Sequence, residues 1–245
     1  MTLNLNDKKL CDDDLSKFES LDSLREIDVF NTKVGDGLLT RLEHADRLER
    51  LGLVGTFVTD EGLASLAGHR RLEKLYLSET NVTDKGMDYV AKLTSLRELD
   101  LLTTMVTDVG IGKLVASLPH LERLGLGETQ ITDKALVDVA KLAHLRQLFL
   151  TRTHITTTGL TPLKALRGLE EIHLFDCEIS DGGLAAFSEC RQLRYLGLTG
   201  TIVTDAGLKY IDKLPRLEEL WVPKSVSEGA VERLQHDRPT LQVKR

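Results

Sequence analysis

The chain has little of what usually anchors a mixed core or a chemical centre. Aromatic residues make up only 4% of 245 residues, six Phe, four Tyr and one Trp, so a core built around a few large rings is excluded. The three cysteines, Cys11, Cys177 and Cys190, are odd in number and show no CxxC spacing. Neither a disulfide framework nor a zinc site is indicated, and reduced thiols are expected. No stretch approaches the roughly 20 apolar residues of a membrane span. The N-terminus, Met1-Thr2-Leu3-Asn4-Leu5, lacks the basic start and apolar run of a signal peptide. No membrane partner is expected, and these absences favour a cytoplasmic location. With a net charge of -6 and no run of Lys and Arg, the chain offers no row of cations for phosphates, so nucleic acid is not an expected partner.

Motifs of catalysis are missing as well. There is no GxSxG, P-loop, GxGxxG or HExxH pattern, and the seven histidines, at 44, 69, 120, 144, 154, 173 and 236, form no pair four residues apart. No catalytic residue, metal or cofactor is assigned, and the chain reads as a non-enzyme. Asn81-Val82-Thr83 is a glycosylation sequon, taken as accidental in the absence of a secretory signal.

What is abundant is leucine at a fixed step. Leu24, Leu48, Leu72 and Leu96 recur every 24 residues; a single insertion follows, and Leu121, Leu145, Leu169, Leu193 and Leu217 resume the period. Such a period marks a solenoid, which presents an extended face and no single deep pocket. In the turn from Leu72 to Leu96, Leu75 and Leu77 flank Tyr76 in strict alternation, as in a short half-buried strand. Thr83 and Asp84 supply oxygens where a helix should start, and Met87, Val90 and Leu93 follow on an inward face. Nine repeats of strand, capped corner and helical return fit one α/β domain over 1–245. Residues 1–20 form a partial capping turn, 21–222 the repeats and 223–245 a C-terminal cap with a helix near 227–236.

The pattern LxxLxLxxTxVTDxGLxxLxxL resembles leucine-rich repeat proteins. Phe175-Asp176-Cys177-Glu178-Ile179-Ser180-Asp181-Gly182-Gly183-Leu184, followed by Cys190, is similar to the cysteine-containing and ribonuclease-inhibitor-like classes, and the 24-residue step to short bacterial repeats. Thr replaces Cys at the ladder position in most turns: Thr32, Thr56, Thr80, Thr104, Thr129, Thr153 and Thr201. A hydroxyl there is expected to stitch turn to turn. The resemblance implies a right-handed horseshoe with a parallel sheet on the concave face, helices on the convex face, and protein recognition as the usual activity.

Two rows remain outside the core. Asp36, Asp60, Asp84, Asp108, Asp133, Asp181 and Asp205 lie where strands turn into helices, and each is read as a cap of its own helix, in preference to a calcium ligand. The outward strand positions carry Tyr76, Phe149, His173, Phe175, Tyr195 and Trp221. Aromatics on a face otherwise open to water are characteristic of binding hot spots. The expectation is a non-catalytic module that binds a protein or peptide through these six residues, mostly in the C-terminal half. Arg50, Lys74 and Arg123 against Glu26, Glu98, Glu171 and Glu219 would set orientation. The alternative is a recognition or effector subunit, resembling ubiquitin-ligase adaptors or bacterial effectors, whose activity lies in another polypeptide. A homodimer through the solenoid ends is also allowed, since the first turn opens directly on a strand edge.

Overall fold

In the computed structural model, which describes residues 1–18 and 21–245, the period of the sequence becomes a period of strands. Glu19 and Ser20, at the end of the expected capping turn, lie outside the described residues. Eleven three-residue strands run in chain order and pair in parallel: β1 Thr2–Asn4, β2 Glu26–Asp28, β3 Arg50–Gly52, β4 Lys74–Tyr76, β5 Glu98–Asp100, β6 Arg123–Gly125, β7 Gln147–Phe149, β8 Glu171–His173, β9 Tyr195–Gly197, β10 Glu219–Trp221 and β11 Gln242–Lys244. The register is that of the repeat, with Leu51 opposite Ile27 and Leu75, and Leu196 opposite Ile172 and Leu220. These central residues are fully buried, while their neighbours point to the open side of the sheet. A one-residue slip would turn every leucine outward, so the pattern fixes the pairing.

The chain groups into two compact units, Met1–Leu124 and Gly125–Arg245. In the N-terminal unit the first return is a 3₁₀ segment, Asp12–Lys17, and the later ones run through α1 Asp36–Leu42, α2 Asp60–Leu63 with a 3₁₀ turn Ala64–Leu66 after it, α3 Met87–Val90 and α4 Asp108–Val115. The one-residue insertion is absorbed at the end of α4, between the buried Leu114 and Leu118. In the C-terminal unit only α5 Asp133–Val139 and the last helix, α6 Glu228–Asp237, are α-helical. Thr158–Ala165, Asp181–Glu189 and Asp205–Lys213 are 3₁₀ segments. The helical return expected from the sequence is thus tighter than an α-helix in these turns. A 3₁₀ segment rises about 2.0 Å per residue against about 1.5 Å, so these returns are thinner and more extended for their length. In the first of the three, Pro162 also removes a donor from the helix interior.

The corner after each strand departs from expectation in two ways. Each ladder threonine donates to a carbonyl of its own turn, three residues back: Thr32 to Val29, Thr80 to Leu77, Thr153 to Leu150 and Thr201 to Leu198, at 2.6–2.7 Å. The hydroxyl therefore closes its own corner. Cys177, which takes the same place, instead donates across to Leu150 O of the preceding turn at 3.1 Å.

Turn-to-turn stitching falls to the aspartates. Asp60 accepts from Thr83 N (2.8 Å), Thr83 Oγ1 (2.6 Å) and Gly86 N (2.9 Å), all in the next turn. Asp36 does the same with Thr59, Asp84 with Thr107 and Gly110, Asp133 with Thr156, and Asp181 with Thr204. The caps of α2, α4 and the segment Asp205–Lys213 are the threonines before the aspartate; Thr59, Thr107 and Thr204 accept from the backbone N two residues on. The aspartate row is thus a set of bridges between turns, and the reading of each as an independent cap of its own helix is corrected. Glycine is required beside each bridge: a Cβ on Gly86 would lie 2.5 Å from Asp60 Oδ1.

Candidate functional site

On the open sheet face the C-terminal unit gathers five of the six aromatic positions singled out in the sequence. Phe149 on β7 stacks on His173 of β8 (ring centroids 4.6 Å, 24° between planes), and His173 stacks on Tyr195 of β9 (4.4 Å, 22°). Both spacings sit close to the strand separation of about 4.8 Å, so a column of rings standing on successive strands stacks without distorting the sheet. Phe175 meets His173 edge-on at 5.3 Å and Trp221 edge-on at 6.3 Å. All five are half-buried.

Two devices hold the rings. The first is a glycine socket: a Cβ on Gly197 would stand 2.6 Å from Phe175 Cζ, so the ring lies across β9 only because that position is bare. The same arrangement recurs where Phe30 lies over Gly52. The second is a carboxylate beside each nitrogen-bearing ring. Glu171 Oε1 accepts from His173 Nε2 (2.6 Å) while Oε2 accepts from Gln147 Nε2 (2.6 Å); Glu219 Oε1 accepts from Trp221 Nε1 (2.5 Å) and pairs with Lys244 Nζ (2.9 Å). Hydrogen bonds from Lys244 and then Trp221 hold the Glu219 carboxyl below its ordinary value. Burial first, and the charges of Glu219 and Glu171 after it, push the Tyr195 phenol up to about 12, so it stays neutral beside both acids. Neither the sockets nor the carboxylate partners were recognised from sequence. A glycine placed one turn after an outward phenylalanine, as in Phe30/Gly52 and Phe175/Gly197, is the signal that would have found the sockets.

Tyr76, the sixth position, belongs to the N-terminal unit and has different company. Its hydroxyl donates to Glu98 Oε2 (2.7 Å), and the Arg50 guanidinium lies 5.0 Å from its ring centre. Burial and the Glu98 bond raise its pKa. Around it the charged residues pair between neighbouring strands: Arg50 with Asp28 (3.2 Å), Lys74 with Glu98 (2.7 Å) and Arg123 with Asp100 (3.5 Å). The cations expected to orient a partner are therefore already held by acids of the chain.

Away from the open faces, Cys177, Cys190 and His69 are buried in the core. Burial raises the pKa of the Cys177 thiol and, with Glu189 nearby, that of Cys190 to about 11, which leaves both as unreactive thiols. His69 takes a leucine place in the core, its ring nitrogens 3.1 Å from Leu66 O and 2.9 Å from Leu42 O. Among the described residues no helix is long and apolar enough to cross a membrane.

A family model described as leucine-rich repeat matches residues 167–188. No curated protein sequence matches the chain. Solved structures do. Internalin C2 of Listeria monocytogenes is 25% identical over 84% of this chain and 82% of its own (TM-score 0.67), and an internalin of the same species, InlF, is 18% identical over 91% and 81% (0.52). A leucine-rich repeat protein of Leptospira interrogans is 18% identical over 100% and 72% (0.64). With parallel strands in chain order, a helical return in every repeat, one repeat matching the family model and neighbours of this kind, the chain has the leucine-rich repeat fold, an α/β solenoid.

Proposed function

We propose that the chain is a non-catalytic recognition module and that the open strand face of the C-terminal unit, bearing Phe149, His173, Phe175, Tyr195 and Trp221, is where it binds a protein or peptide; Tyr76 would be a subsidiary contact. The observation that carries this reading is the ring cluster itself. Five aromatic side chains converge on one face, pack to half-burial and still present ring surface to solvent. Rings preorganised in this way lose little conformational freedom on binding. A peptide partner fits better than a nucleic acid, because Arg50, Lys74 and Arg123 are each paired with an acid and leave no row of free cations for phosphates.

The test is selection of a random sixteen-residue display library on the immobilised protein, followed by binding of the selected peptides to Phe149→Ala/Trp221→Ala. Loss of about 100-fold in affinity, with the far-UV spectrum and unfolding midpoint of the variant close to those of wild type, is expected for two central anchors. Peptides that bind the folded double variant as tightly as wild type would sink the assignment of this face.

A further inference from the structure

Among the described residues of the open faces, a tyrosine or tryptophan ring sits beside a strand carboxylate in three places. In the first, Tyr76 with Glu98, the chain's own Arg50 lies 5.0 Å from the ring centre. In the second, Trp221 with Glu219, its own Lys244 lies 5.2 Å from the ring and 2.9 Å from the carboxylate. The third is Tyr195. Its strand position is in register with Glu171 on one side and Glu219 on the other, and both carboxylates act on its hydroxyl. One face of its ring is taken by His173. Among the described residues no lysine or arginine of the chain lies over it.

We propose that this third place is a cation subsite, and that the peptide bound by the C-terminal unit is basic, seating an arginine or lysine side chain against Tyr195 between Glu171 and Glu219. The inference rests on the functional reading above and names the partner's chemistry. Two neighbouring carboxylates and an electron-rich ring face attract a guanidinium or ammonium and repel an acidic side chain. Glu219 has one oxygen engaged by Trp221 and Lys244, and its carboxyl is held ionised. Lys244 shows the contact in miniature: a terminal cation lying over a ring while bonded to the acid next to it. The chain's net charge of -6 adds a field of the same sign.

The test uses three alternating dodecapeptides, Ala–Arg, Ala–Glu and Ala–Gln, titrated against the whole chain and followed by calorimetry and by the fluorescence of Trp221, the only tryptophan. Ala–Arg should bind and the other two should not. Tyr195→Leu and Glu219→Gln should each weaken it about 10-fold, a change within the range of a partly desolvated cation–π or charge-assisted contact, while Tyr195→Phe retains most of the affinity. Glu232→Gln, on the exposed side of α6, removes an equal charge at a distance and should change affinity less than twofold. Lys244→Ala should tighten binding severalfold, and Lys213→Ala should not. Equal losses for Glu232→Gln and Glu219→Gln would reduce the effect to net charge and overturn the proposal, as would equal binding of all three peptides. If Ala–Arg fails to bind while the display library yields peptides lost on Phe149→Ala/Trp221→Ala, the cation subsite falls and the binding face stands.

Discussion

The two units share a scaffold and differ in what they put on it. In both, leucines fill the same layers and an aspartate bridges to the threonine of the next turn. In both, an arginine just before one strand pairs with a glutamate one turn on: Arg25 with Glu49 and Arg97 with Glu122 in the first, Arg146 with Glu170 and Arg194 with Glu218 in the second. The open faces diverge. The N-terminal face is a lattice of cross-strand ion pairs around one tyrosine, and the C-terminal face is a column of rings with acids beside them. A face of paired charges satisfies itself and keeps its water; a face of rings retains surface that gains by being covered. Repeat proteins separate these tasks because the letters of the core and the letters of the face never compete for the same positions.

The shared scaffold is tested first, because it should give the largest effect. Asp60 is buried and accepts three bonds; Asp60→Ala leaves Thr83 N and Gly86 N without that acceptor and should lower stability by about 2–4 kcal/mol. Asp181, which makes the same bridge at a more exposed site in the other unit, should cost about 1 kcal/mol. Urea midpoints decide it, and a cost below about 0.5 kcal/mol for Asp60→Ala would contradict the bridging role.

The divergent face comes next. Gly197→Val places a branched side chain where Phe175 lies, so the ring must leave β9 and its contacts with His173 and Trp221 are lost. The expected cost is about 1–3 kcal/mol, with a shift in Trp221 emission. An unchanged emission spectrum would mean that Trp221 does not depend on Phe175.

How much of this was legible in the sequence follows from distance along the chain. The alternation of Leu75, Tyr76 and Leu77 fixes which way each points, so the strands and the aromatic row could be read locally. The role of Asp60 could not, because a helix cap and a bridge to the next turn both call for an acid at that place. The distinguishing sign lay elsewhere: Gly86, 26 residues on, whose missing side chain makes room for the carboxylate. The pairing of Glu219 with Trp221 and of Glu171 with His173 was hidden for another reason. Period 2 puts both residues on one face but does not say whether the side chains turn toward each other. The threonine ladder was misread because a hydroxyl can reach a carbonyl of its own turn or of the next, and the sequence is the same in either case.

A smaller effect distinguishes the faces by pH. Burial works to raise the Glu98 carboxyl, but the bonds from Lys74 and Tyr76 outweigh it and hold the group below its ordinary 4.5. A depressed carboxylate contributes stability above its unfolded value and loses it as pH falls through the folded one. Acidification from about pH 5 toward 3 should therefore weaken the N-terminal face, and Glu98→Gln should flatten that part of the profile by a few tenths of a kcal/mol, after screening at a partly exposed site. An unchanged acid limb in Glu98→Gln would remove Glu98 from the account.

The last effect is a gain and not a loss, and concerns the residue that turns the chain after each strand. Its φ is positive in both units, and most of its occupants are not glycine: Asn31, Glu79, Thr103, Glu128, Arg152 and Asp176 adopt φ of 53–57°, where Gly55 and Gly200 do so at no steric cost. In the C-terminal unit the strain has a counterweight, since Arg152 bridges Glu128 and Asp176 on the adjacent turns. Glu79, in the N-terminal unit, has no side-chain partner among the described residues. Glu79→Gly should therefore raise stability by about 0.5–1 kcal/mol, the strain relieved slightly exceeding the entropy that glycine adds to the unfolded chain. Arg152→Gly should leave the urea midpoint where it is, because the relief is offset by the lost ion pairs. Equal gains in the two variants would show that the charge ladder along this edge contributes nothing, and that the residues at this turn are chosen for the face they present and not for the stability they lend.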